Sequence, residues 1–151
     1  MKRKEFIRNT AVGTSGLILT PHVYSQNNSL FKKKRKITIL HTNDTHSNID
    51  AFPDNHAKYP GLGGISKRYS LIQKIREEEE NVLLLDAGDI FQGTPYFNTF
   101  KGVLEMKLMS QLQYDASTMG NHDFDAGLEG FYNAKKHANF PFLCSNYDFS
   151  Q

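Results

Sequence analysis

Met119 to Asp125 read M-G-N-H-D-F-D. An amide, an imidazole and two carboxylates follow Gly120 in Asn121, His122, Asp123 and Asp125. Such groups ligate metals and carry protons. Alone, G-N-H-D is equally a surface turn, because Gly, Asn and Asp favour turns. Two other segments have the same character: T-N-D-T-H, Thr42 to His46, and D-A-G-D, Asp86 to Asp89. Asp44 and His46 are two apart, and in an extended segment alternate side chains share a face, so both are expected to reach one ion. A carboxylate beside an imidazole suits Zn, Mn or Fe better than Ca. Cys144 is the sole cysteine, which excludes an internal disulfide and disfavours a thiolate cluster. Gly88 and Gly120 are expected to let the backbone turn sharply near the site.

The elements that must position these groups follow from hydrophobic pattern. K-I-T-I-L-H (36–41) and N-V-L-L-L-D (81–86) read as strands, and such apolar runs suit burial on both faces. Y-D-A-S-T-M (114–119) is a weaker strand, and F-P-F-L-C-S (140–145) a fourth, with Pro141 at its start or an edge. Between them, Ile65, Tyr69, Ile72 and Ile75 recur at helical spacing, and Glu77 to Glu80 form a solvated helix end. Gly102 to Leu112 predicts a second helix with Leu104, Leu108 and Leu112 on one face. Leu128 to Ala138 predicts a third, with Leu128, Phe131, Tyr132 and Ala138 aligned. The order β-α-β-α-β-α-β argues an α/β fold with a largely parallel sheet and covering helices. Ligands then bind beyond the carboxyl ends of the strands. Each of the three motifs directly follows a strand, so all three are delivered to the same edge.

In this order, D-x-H, G-D and G-N-H-D resemble the calcineurin-like metallophosphoesterase superfamily. The wider text I-L-H-T-N-D-T-H, G-D-I-F-Q-G-T-P and G-N-H-D-F-D resembles its branch of 5′-nucleotidases, UDP-sugar hydrolases and 2′,3′-cyclic phosphodiesterases. The resemblance spans about Lys36 to Asp148. It implies a sandwich of sheets flanked by helices, of which this chain supplies an incomplete β-α-β-α-β-α-β portion. It also implies roles. Asp44 and His46 ligate a first metal, Asp89 bridges two, and Asn121 ligates the second. His122 stabilises the transition state or protonates the leaving oxygen, and Asp125 orients His122. Asp86 and Asp123 keep no ligand role and are expected to hydrogen-bond in the turns. The implied cofactors are two divalent ions, Zn, Mn or Fe. They suit hydrolysis of an anionic phosphate ester, because two ions about 3.5–4 Å apart acidify water and clamp the phosphoryl oxygens. The implied substrate is a small-molecule phosphate ester, a nucleotide by branch.

The family completes its site with later motifs, an isolated histidine and a G-H-x-H pair, that these residues do not contain. The second metal is therefore expected to bind weakly. The alternative to an enzyme is an inactive fragment, or one part of a split enzyme that needs a partner chain.

The N-terminus reads as an export signal over residues 1–25: a basic start, a short apolar run and small residues at Val23 and Ser25. R-K-E-F-I, Arg3 to Ile7, resembles a twin-arginine signal with Lys4 in place of the second arginine. A periplasmic or extracellular location follows. Residues 26–36 form a basic linker ending in K-K-K-R-K, and residues 37–151 are read as the N-terminal part of the catalytic domain. Residues 37–151 hold 9 Lys and Arg against 15 Asp and Glu, a balance of −6, so the overall +2 resides in the leader and linker. That balance argues against a nucleic-acid polymer as partner. No run of about 18 apolar residues predicts a membrane span.

His41 is expected to be structural, and His56 and His137 solvated. Cys144, with apolar neighbours, is expected to be buried. G-L-G-G, Gly61 to Gly64, lacks the lysine and hydroxyl residue of a P-loop and predicts a tight turn into the helix. Gln92 to Pro95 are placed near the site without an assigned role.

Overall fold

Three strands run parallel in the order β1-β2-β3: β1 (Thr38–Thr42), β2 (Val82–Asp86) and β3 (Ala116–Ser117). The computed structural model describes residues 35–146. The expected export signal at 1–25, nearly all of the expected linker and His22 lie outside the described residues. Parallel neighbours need long crossovers. Helix α1 (Ile65–Glu78) supplies the first, and α2 (Pro95–Phe100) with α3 (Val103–Gln111) the second. A 3-10 turn (His122–Phe124) and α4 (Gly127–Lys135) follow β3.

The register aligns the strand ends. Thr42 pairs with Asp86, and Asp86 with Ser117, so all three strands stop at one level. Their side chains form a polar floor. Thr42 Oγ1 donates to Asp86 at 2.5 Å, Ser117 Oγ to the other Asp86 oxygen at 3.1 Å, and the Tyr114 hydroxyl lies 2.8 Å from Thr42 Oγ1. Burial raises the Asp86 pKa against these bonds and the Gly88 N–H. Beneath that floor, Ile72, Leu84, Phe91, Met106, Met109 and Phe131 belong to one apolar cluster. The core therefore grips the inner face of β2 and the loop that leaves it.

Several expectations are corrected. Burial on both faces fails for β1, whose Ile39 is 60% exposed, as is Ile37 at 65%. Only the Leu40 side of this edge strand packs on the cluster. The third strand shrinks to two residues, because the Asp115 carboxylate accepts the Leu84 N–H at 2.7 Å in place of a ladder carbonyl. The fourth strand reduces to one parallel bridge between Ser117 and Phe142, where Pro141 offers no N–H. Cys144, just past that bridge, is exposed rather than buried.

The helix expected over Gly102 to Leu112 forms as α3. A further helix, α2, precedes it and was not expected from the sequence; Pro95 in its first turn starts it, and left-handed Lys101 and Gly102 separate the two. The buried residues of α3 are Glu105, Met106 and Met109, with Leu112 just beyond its end, and Leu104 and Leu108 are only half-buried. In α4, Phe131 and Ala134 turn inward while Leu128 and Tyr132 stay exposed. In α1 only Ile72 is fully buried. Arg76 near its end donates to the Leu112 and Gln113 carbonyls at 2.7 Å each, satisfying acceptors left over where α3 stops.

Candidate metal centre

Beyond the aligned strand ends, the loops after β1 and β2 continue side by side. Ala87 N–H donates to Thr42 O, Asp44 N–H to Gly88 O at 3.0 Å, His46 N–H to Asp89 O at 3.1 Å and Ser47 N–H to Ile90 O at 2.8 Å. This zipper fixes Asp44, His46 and Asp89 over one point. One ligand atom from each of the three lies within 4.8 Å of the others. His46 Nε2 stands 3.7 Å from Asp44 Oδ1.

Asp44 and His46 do not take the extended spacing expected of them. They are not alternate residues of an extended segment. Asp44, His46 and Asp89 all have positive φ, at 51°, 44° and 53°. Non-glycine residues in this left-handed region are uncommon, with Asn, Asp and His over-represented among them. Such conformations persist where the surroundings hold them, and they concentrate at functional sites. Here the inter-loop hydrogen bonds do the holding.

His46 is oriented by Phe91. Its Nδ1 lies 3.1 Å from the Phe91 carbonyl. A carbonyl only accepts, so Nδ1 carries the proton and the Nε2 lone pair is left for a ligand. Two carboxylates and an imidazole so arranged fit a divalent transition ion.

The third loop meets the second almost in van der Waals overlap. A Cβ on Gly88 would strike the Gly120 nitrogen, and a Cβ on Gly120 would strike the Asp89 carboxylate. Asp89 Oδ1 accepts the His122 N–H at 2.9 Å. In return, Asp123 reaches under the second loop. Its Oδ2 accepts the Asp89 N–H at 3.0 Å and the Gly120 N–H at 2.8 Å. Its Oδ1 accepts the Ile90 and Phe91 N–H groups at 2.9 and 3.2 Å. Asp123 is wholly buried, and burial raises its pKa while the four N–H bonds pull the other way. Asp86 and Asp123 thus make the hydrogen bonds expected of them.

His122 opens the 3-10 turn, and three residues on, Asp125 faces it, with His122 Nδ1 2.9 Å from Asp125 Oδ2. That hydrogen bond raises the His122 pKa and lowers that of Asp125. Gln92 also donates to Asp125 and lowers it further. The His46 and His122 rings sit edge to face, their centroids 5.3 Å apart. Asn121 precedes His122 at the same edge with its side chain exposed. A cleft of about 410 Å³ opens on the other side of Asp44, walled by His41, Asn43, Asp50, Phe52 and Arg68.

The structure brings together Asp44, His46 and Asp89, sets His122 and Asp125 as a pair beside them, and carries Asn121 on the same loop. Reading the sequence missed Phe91 and placed Gln92 near the site without its role toward Asp125; the one local signal beside them was Gly93. That glycine is left-handed at φ 92°, and a Cβ there would meet the His46 backbone. His41, on the exposed side of β1, and His137 on the surface stand apart from the cluster. His56 is less solvated than expected. Its ring is half-buried with its centroid 4.6 Å from that of Phe52, and its Nδ1 accepts the Lys58 and Tyr59 N–H groups.

Residues 37–150 match the family model described as calcineurin-like phosphoesterase. A snake venom 5′-nucleotidase from Crotalus adamanteus is 46% identical over 115 residues, covering 74% of this chain and 20% of that protein. The 5′-nucleotidase of Homo sapiens is 43% identical over 116 residues, again 74% and 20%. Among solved structures, the 5′-nucleotidase precursor from Thermus thermophilus superposes with a TM-score of 0.69 at 36% identity, covering 76% of this chain and 23% of that one. The chain spans about a fifth of the length of the curated relatives it matches.

Proposed function

Because the chain belongs to the calcineurin-like phosphoesterase family, we propose that it carries the metal-holding part of a hydrolase that cleaves phosphate esters, with nucleotides as substrates. The observation that carries this reading is the gathering of Asp44, His46 and Asp89 ligand atoms within 4.8 Å, beside a histidine already paired to a carboxylate. The 5′-nucleotidase relatives support the substrate class.

In this reading Asp44, His46 and Asp89 would hold a first divalent ion, and Asp89 with Asn121 would serve a second. Zn, Mn or Fe fits the donors. Ions there supply Lewis acidity toward phosphoryl oxygens and a lowered water pKa. The residues do the rest. Asp125 accepts from Nδ1 of His122, which turns Nε2 outward and favours the protonated ring. A protonated imidazole beside the ester donates to the oxygen on which charge accumulates as the P–O bond breaks. Backbone bonds between the loops keep these groups in place, so little rearrangement is needed when substrate arrives.

Within these residues the first ion has Asp44, His46 and Asp89, and the second only Asp89 and Asn121. Catalytic metals commonly take about three protein ligands. These residues are therefore expected to hold the first ion more tightly than the second. Residues 1–25 fit export to the periplasm or exterior, and no helix among the described residues is long and apolar enough to cross a membrane.

Metal stoichiometry combined with turnover of a nitrophenyl phosphate ester tests the reading. Binding of one Mn2+ equivalent that disappears in His46→Ala is expected. Any turnover should drop by about 10²–10⁴-fold in His122→Ala. Metal binding unchanged in His46→Ala would falsify the assignment.

A further inference from the structure

Asp123 is no metal ligand in the reading above, yet it touches more of the site's backbone than any residue assigned there. It lies at 0% exposure and accepts four main-chain N–H groups, from Asp89, Ile90, Phe91 and Gly120. Three belong to the second loop and one to the third. We propose that Asp123 is a positioning residue for the metal centre, which holds the Asp89 and His46 ligands in place through the backbone of residues 89–91.

Two connections run from that backbone to the ligands. Asp89 itself has φ 53°, a strained conformation for a residue with a side chain, and its N–H ends on Asp123. Phe91, whose N–H also ends on Asp123, offers the carbonyl that orients His46 Nδ1 at 3.1 Å. One buried carboxylate therefore stands behind ligands from two different loops. The third loop is fastened in the same act, because Asp123 takes the Gly120 N–H while Asp89 takes that of His122. The bonds are reciprocal: each loop donates to the other's aspartate. Ordinary fold stabilisation would need only that these N–H groups be satisfied. Their concentration on the one segment that carries Asp89 and braces His46 is what argues for a role toward the metal. Partners behind metal ligands of this kind set ligand orientation and affinity.

The proposal rests on the metal-centre reading, and calorimetric titration of the full chain with Mn2+ separates the two. Asp123→Asn keeps the shape but turns an NH2 toward two N–H groups. Its Mn2+ affinity is expected to fall about 10–100-fold. Leu112→Ala is the control, since it removes a buried side chain where α3 ends ahead of β3, at the edge of the sheet opposite the loops, and should lower the Tm while leaving Mn2+ affinity unchanged. Wild type that binds no Mn2+ sinks the metal-centre reading and this proposal with it. Wild type that binds, with Asp123→Asn equal to it, overturns this proposal alone. So does an equal loss in Leu112→Ala, which would make the effect one of general stability.

Should Asp123→Asn not fold, amide exchange on the wild type decides. Zn2+ is expected to slow exchange at Ile90, Phe91 and Gly120 as the site fills, and to slow Ala134 in α4 far less. Metal that stabilises only the clamped state must oppose its opening in proportion to occupancy. Unchanged rates at the three amides, or equal slowing at Ala134, overturns the proposal.

Discussion

The two halves of the site are built in opposite ways. Asp44, His46 and Asp89 converge from loops more than 40 positions apart in sequence, joined by main-chain bonds such as Asp44 N–H to Gly88 O and His46 N–H to Asp89 O. All three residues sit in a left-handed backbone conformation. Asn121, His122 and Asp125 lie within one turn of the chain, and the bond that matters there spans only three positions. The first half is strained and long-range, the second local and relaxed, with Asn121 and Asp125 in ordinary right-handed geometry. Ligand placement in the first half depends on another loop being present, whereas the His122–Asp125 pair needs little more than its own turn.

The sharpest way to break this contrast is Asp89→Ala. Asp89 is the one side chain shared by both halves: it offers a ligand atom to the first and accepts the His122 N–H of the second. Loss of metal affinity should exceed the effect of removing a supporting residue, hence more than about 100-fold by Mn2+ titration. The His122–Asp125 contact should nonetheless survive, visible as an unchanged His122 titration midpoint beyond the small charge effect of Asp89. If that midpoint fell back to an ordinary histidine value, the two halves would not be separable.

Gly120→Ala probes where the halves touch. The added methyl meets the Asp89 carboxylate and also the Asp89 main-chain nitrogen, so rotating one side chain cannot relieve it. Forcing an extra carbon into packed structure costs about 1–3 kcal/mol. A matching loss in denaturant stability and a weakened metal site are expected together. A variant as stable as wild type would mean that the loops are looser than their contact implies.

The same contrast explains what was legible beforehand. In the local half, the pairing of His122 with Asp125 was implied by the resemblance that G-N-H-D-F-D carries, and three positions along one turn suffice to bring the two side chains together. The parallel order and the edge to which all three motifs come were also readable, from β-branched and apolar runs separated by helical spacing. The long-range half was readable only as a list of residues. Its geometry was misjudged, because D-x-H looks the same in a strand as in a left-handed turn. The braces were invisible for a related reason. Phe91 acts through its carbonyl, and a main-chain group leaves no mark in residue identity. Asp123 looked like any acidic turn residue until its burial was known. The outward face of β1 misled in the other direction. Ile37 and Ile39 carry the pattern of a buried strand, but nothing among the described residues covers them.

The smallest effect is expected from Asp125→Asn, and its sign can be worked out. The hydrogen bond that Asp125 accepts from His122 is the largest cause that raises the His122 pKa, and the same bond lowers that of Asp125. A histidine whose folded pKa is raised adds stability below its unfolded pKa and loses it as pH rises through the folded one. An aspartate whose folded pKa is lowered adds stability above its unfolded pKa and loses it as pH falls through the folded one. The pair therefore stabilises between the lowered Asp125 value and the raised His122 value, fully so between their two unfolded values. Asn in place of Asp removes the charge and leaves a neutral acceptor. The His122 ring resonance should then titrate at lower pH, while metal binding by Asp44, His46 and Asp89 stays near wild type. A downward shift with metal affinity intact is what independent halves require. A loss of metal affinity as large as that of Asp123→Asn would instead make Asp125 part of the long-range half.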